Sequence, residues 1–132
     1  MKNVRILFVS LFVLLLCSAS LCAQKTATWK GGTPGRPAEW NCPTNWKEGR
    51  VPDEFSRVII PDASTSTFHN PVLKEGEVEV WSLQILSGAM LCIGKNASLI
   101  ATEQGSRTFI ASGEGIIRQS ATMQDSLVFL AR

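Results

Sequence analysis

An all-β fold of stacked short strands is what this sequence predicts, and three observations predict it. Apolar residues recur at period two in several short runs, and no stretch keeps a helical period. Glycine and proline punctuate the chain between those runs. Ala89, Leu91 and Ile93 are echoed eight residues later by Ala97, Leu99 and Ala101, a spacing that suits stacked rungs. A short β-solenoid is the favoured architecture, with a β-sandwich as the alternative.

Residues 1–23 read as a secretory signal peptide. Lys2 and Arg5 give a positive start, Ile6 to Leu16 an apolar core, and Ser18, Ala19, Ser20 and Ala23 a small-residue exit. The core falls short of the roughly 20 residues a membrane span needs. Leu16 and Leu21 precede Cys17 and Cys22, where lipidation signals place a small residue, so ordinary cleavage near Ala23 is expected. The chain is therefore expected at the cell surface, in the periplasm or outside the cell, with no integral membrane segment once the signal is removed.

Residues 24–132 remain, about 109 residues, enough for one domain. The full chain has 13 Lys and Arg against 11 Asp and Glu. Lys2 and Arg5 supply that whole excess, so the domain is neutral and has no basic run. Nucleic-acid binding has no electrostatic support.

Residues 24–57 form a turn-rich cap, with Gly31-Gly32, Pro34-Gly35, Pro37, Cys42-Pro43, Gly49 and Pro52. Residues 58–132 hold the strands. Val58 to Ile60 is an apolar run stopped by Pro61, and Asp62 to Asn70 is a polar loop. Glu77 to Ile85 alternates as a half-buried strand, but Val78 and Val80 have the opposite parity to Leu83 and Ile85. A bend, corner or bulge is expected at Trp81-Ser82. The two Ala-Leu units follow, with a turn expected at Gly94-Lys95-Asn96. Phe109-Ile110, Ile116-Ile117 and Leu127 to Leu130 complete the set. The last strand either docks back on the domain or pairs with another chain, unless the protein is a shortened form of a longer one.

Between Trp29 and Leu99 the residues fall into a longer pattern. They are Thr28-Trp29, Gly31, Trp40, Asn45-Trp46, Gly49, Val51-Pro52, Val58, Ile60-Pro61, Pro71, Leu83, Ile85, Gly88-Ala89, Leu91, Ile93, Ala97 and Leu99. This pattern resembles the Trp-rich cap and β-solenoid segment of large, exported, adhesin-like bacterial surface proteins. The resemblance implies a right-handed parallel β-helix and structural or adhesive work, and it carries no catalytic residues. Two departures stand out. Ser56-Arg57 precedes Val58 where an acidic residue is usual, and the chain stops after a few rungs where such proteins continue.

The candidate ligand residues are Trp81, Trp40 and Trp46, because an indole face stacks on sugar rings. Trp81 sits at the phase change and need not point inward. Trp29, Trp40 and Trp46 lie among turns, where capping the core is the competing role. Cys42 and Cys92 either form a disulfide, closing a loop worth about 4 kcal/mol, or remain two thiols. Glu75, Glu77 and Glu79 read as a solvated strand face. His69, the only histidine, shares one polar loop with Asp62, Ser64 and Ser66, unlike a triad assembled from separate elements. No zinc spacing, phosphate loop or nucleophile elbow occurs.

The expectation is therefore a non-enzymatic structural or adhesion module with no catalytic residue, metal or cofactor. Its partners would be a surface polysaccharide or another β-rich chain meeting the C-terminal strand. A carbohydrate-binding module is the second reading. A polysaccharide lyase-like enzyme is the third, since fold does not fix function.

Overall fold

The computed structural model describes residues 24–64, 69–103, 108–119 and 127–131. The expected signal peptide and Ser66 lie outside the described residues. The strands are β1 (Lys25–Thr28), β2 (Ser56–Ile60), β3 (Val72–Val80), β4 (Ser82–Ile85), β5 (Met90–Ala101), β6 (Thr108–Ser112), β7 (Gly115–Gln119) and β8 (Leu127–Ala131). One 3-10 turn spans Pro43–Asn45, and no α-helix occurs among the described residues. The all-β class expected from the sequence is the class found.

The strands form two open sheets. The smaller has the order β1-β2-β4, all parallel, with Arg57 opposite Ser82 and Ile60 opposite Ile85. The larger has the order β3-β5-β7-β8, with β6 also paired to β5. β3 and β5 run parallel, from Val72 opposite Cys92 to Val80 opposite Ala101. From β2 to β5 the chain alternates between the sheets. Trp81 alone separates β3 from β4, so the parity change in the sequence is the corner where the chain leaves one sheet for the other.

The inward residues of β2 and of each half of β5 follow from period-two alternation, while β3 changes parity between Leu73 and Val80. Val58 and Ile60 from β2, Leu73 and Val80 from β3, and Leu91 and Leu99 from β5 are all fully buried. They join Trp29, Trp40 and Trp46 in one continuous core, so cap and strands share a single interior.

β5 corrects one expectation. Residues 90–101 form a single strand, not two strands around a turn at Gly94-Lys95-Asn96. The register slips there by one residue, because Leu73 faces Ile93 while Glu75 faces Asn96. The extra residue bends the strand and leaves Lys95 and Asn96 exposed between two buried stretches. The apparent eight-residue repeat is therefore two arms of one bent strand. Glycine at 94 is required sterically, since a Cβ there would collide with the Lys74 carbonyl. Gly94→Ala is expected to lower stability by about 1–3 kcal/mol. The denaturant midpoint will read this, with Gly76→Ala as comparison. Nothing lies near a Cβ at Gly76, and only its φ of 87° opposes substitution.

The C-terminal strands reverse direction. β6 runs antiparallel along the second arm of β5, and β7 antiparallel along the first. β8 then returns along β7, pairing Gln119 with Leu127 and Gly115 with Ala131. Of the two fates expected for Leu127 to Leu130, docking on its own domain is observed.

Candidate functional site

The cap is assembled around Asn45, a residue that sequence reasoning left within a motif and gave no role. Its side chain is completely buried. The amide Nδ2 donates to the carbonyls of Arg36 at 2.7 Å and Glu39 at 3.0 Å. Its Oδ1 accepts from the Thr33 amide at 3.0 Å. Its backbone carbonyl accepts from Lys30 and Gly31. A segment rich in proline and glycine cannot satisfy its own backbone by a regular ladder, and Asn45 supplies the missing partners.

Trp46 stands between the other two cap tryptophans. Its ring meets Trp29 edge-to-face at 5.1 Å and Trp40 at 4.9 Å. Trp29 Nε1 donates to the His69 carbonyl at 2.7 Å, and Trp46 Nε1 to the Trp40 carbonyl at 2.9 Å. Trp40 and Trp46 are 0 % and 1 % exposed, so neither presents a face to a sugar. That corrects their place among the candidate ligand residues, because their ring surfaces are spent on the core. Trp40 Nε1 is buried with no hydrogen-bond partner among the described residues. Trp40→Phe should therefore lower the melting temperature less than Trp46→Phe, the two differing by about 1 kcal/mol.

The cap also bonds the first strand of each sheet. The Thr28 carbonyl accepts from the Lys47 amide at 2.9 Å, and the Thr28 amide donates to the Glu48 carboxylate at 2.8 Å. Val72, at the start of β3, exchanges backbone bonds with Ala38 and Trp40. Glu39 adds charge pairing, bonding Arg36 and, at 3.1 Å, Lys74. Those two partners hold its carboxyl below the usual range.

Where β1 meets β2, Asp53 accepts from the Ser56 hydroxyl at 2.7 Å, the Phe55 amide at 3.1 Å and the Lys25 ammonium at 3.0 Å. Ser56, where the resemblance led one to expect an acidic residue nearby, is buried as a partner of Asp53. The Ser56 bond, with smaller help from Lys25 and Phe55, lowers the Asp53 pKa. A lowered folded-state pKa contributes stability above the unfolded value of about 4, which is lost as pH falls through the folded value. The melting temperature should therefore drop below about pH 4, and Asp53→Asn should flatten part of that drop.

Trp81, at the corner, is partly exposed. Next to it in the chain, β4 together with Arg57 of β2 lines a groove of about 320 Å³. Arg57, Ser82, Gln84 and Glu103 give this groove hydrogen-bonding and charged groups, while Leu86 and Leu127 give it apolar wall. Trp81 is not part of that wall. No protein-family model, curated protein or solved structure matches this chain. The groove is at the lower end of the size range for small-ligand sites. Its groups can bond hydroxyls or a peptide backbone.

Cys42 and Cys92 are free thiols. Cys92 is fixed in β5 between Val72 and Ile116, while Cys42 Sγ lies 3.2 Å from the Thr44 hydroxyl. That hydroxyl draws the thiol below its usual pKa. A reductant should leave the melting temperature unchanged, and a drop would reveal a bridge. Glu75 and Glu77 lie exposed on β3. His69 is exposed, and Asp62 is occupied by the Ser64 amide at 2.8 Å. Among the described residues, no group of three His, Cys, Asp or Glu is placed to hold a metal, and no helix is long and apolar enough to cross a membrane.

Proposed function

We propose that this chain is an exported, non-catalytic structural or adhesion module built on a short right-handed parallel β-helix. The observation that carries the reading is the pair of parallel ladders, β1-β2-β4 and β3-β5, visited in alternation and closed at one end by the tryptophan cap. A β-sandwich is built from antiparallel sheets, and this alternation suits coiling better. A rigid coil with a capped end suits display on a surface, because stacked coils need an end that neither frays nor aggregates.

The localisation rests on residues 1–23. Expression of the full chain in a bacterial host, followed by fractionation and mass measurement, is expected to give an exported protein shortened near Ala23. Unprocessed cytoplasmic protein would sink the reading.

Carbohydrate binding is the second reading, and the β4 groove favours it. Arg57, Gln84 and Glu103 offer the hydrogen bonds that orient a sugar, and Trp81 adjoins the groove in sequence. A glycan panel should be probed with wild type, Arg57→Ala and Trp81→Ala. Loss of binding in Arg57→Ala places the site in the groove, and loss only in Trp81→Ala places it at the corner. A folded wild type that binds no glycan leaves the structural role.

A further inference from the structure

β8 is the last strand in the order of the larger sheet. One edge pairs antiparallel with β7, and among the described residues no strand pairs with the other. Its sequence is Leu127-Val128-Phe129-Leu130-Ala131, without charge, proline or glycine. Soluble proteins guard such edges with charges, proline or bulges. The molecule does so elsewhere: Lys47 and Glu48 occupy the edge of β1, and β3 carries Lys74, Glu75, Glu77 and Glu79. β8 has no such guard.

β8 is also anchored on the core. Leu127 and Phe129 pack against the core, and the Phe129 ring covers Gly115, where a Cβ would collide with it. Strand alternation puts Val128 and Leu130 on the opposite face, where Leu130 is 42 % exposed. The unpaired edge is thus fixed in the extended form that pairing needs, so little ordering cost remains.

We propose that β8 is a homodimerisation edge, on which a second copy lays its own β8 antiparallel across a two-fold axis. The register that pairs the whole strand sets Phe129 against Phe129 of the partner subunit and Val128 against Leu130 of the partner subunit. Every cross-strand pair is then apolar, so the strand is complementary to itself, as a two-fold interface requires. Antiparallel addition continues the direction already alternating through β5, β7 and β8. The cap meets the larger sheet at β3, the opposite end of its order, and the groove touches β8 only through Leu127, so neither the adhesive reading nor sugar binding is needed for this pairing.

The test is the mass in solution of the exported protein, by light scattering and sedimentation over a concentration series. Wild type is compared with the double variants Val128→Lys/Leu130→Lys and Val128→Glu/Leu130→Glu. Circular dichroism checks that each is folded. Wild type is expected to dimerise. Each variant alone should be monomeric, because like charges face each other across the axis. An equimolar mixture of the two should recover dimers. A wild type that stays monomeric or forms open polymers overturns the proposal, as do dimers of either variant alone or a mixture that remains monomeric. Hydrogen exchange on wild type serves if a variant fails to fold. Protection of the 127–131 amides should rise with protein concentration, and protection independent of concentration overturns the proposal.

Discussion

Trp46→Ala is expected to lower stability by about 3–5 kcal/mol, the range for deleting a fully buried large aromatic side chain. The loss exceeds simple transfer because Trp46 is the middle ring of three. Its removal takes away both edge-to-face contacts, at 5.1 and 4.9 Å, and leaves the Trp40 carbonyl without its indole donor. The cavity would open between the cap and the strands, because Trp29, Trp40 and Trp46 belong to the same core as Val58 and Leu73. For a domain of this size each kcal/mol shifts the melting temperature by roughly 4–8 °C. The loss should therefore appear as a large drop in a thermal melt followed by circular dichroism. A drop of only a few degrees would mean that the cap contributes little and folds apart from the strands.

Asn45→Ala is the second large effect. Three buried side-chain bonds disappear, and the Arg36 carbonyl, Glu39 carbonyl and Thr33 amide lose partners. The Arg36 and Glu39 carbonyls keep bonds from the Glu39 and Cys42 amides, so the loss of the Asn45 bonds is expected to cost about 1–3 kcal/mol in total. Asn45→Asp separates bonding from shape. The carboxylate keeps an acceptor for Thr33 but faces two carbonyls it cannot satisfy. Burial against those oxygens raises its folded-state pKa, so the variant should recover relative to wild type as pH falls from 8 toward 5, when the acid regains a donor. Equal stability of Asn45→Asp and wild type at neutral pH would overturn the role assigned to Asn45.

Both predictions concern residues whose importance the sequence showed only in part. The tryptophans attract notice by composition, yet nothing in the linear spacing separates a stacking platform from a core plug. Trp40 and Trp46 were candidates for both roles, and their burial decided for the core. Asn45 was visible only as one letter of a motif. Its value comes from three backbone groups far apart along the loop, and these converge only once the cap is folded.

Strand placement was more legible where burial imposes a period. Val58 to Ile60, the region from Glu77 to Ile85 apart from Trp81, and the C-terminal strand all lie in observed strands. The parity change at Trp81 marked a real corner, because a strand that changes sheet must re-aim its inward set. β1 escaped notice, since Lys25–Thr28 is mostly polar and pairs through its backbone. So did the start of β3, where Val72 is held by the cap backbone. At Gly94 a glycine that reads as a turn instead admits a neighbouring carbonyl at a bulge.

By itself, then, the sequence determined the all-β class, the place of most strands, the neutrality of the domain and the corner at Trp81. Each of these follows from which residues avoid water and at what period. The tertiary structure alone decided which strands pair in each sheet, that 90–101 is one strand with a bulge, that the cap bonds the first strand of each sheet, and that β8 docks on β7 with no strand on its other edge among the described residues. Those outcomes depend on which distant backbones pair, and strand period is blind to the partner's direction and identity.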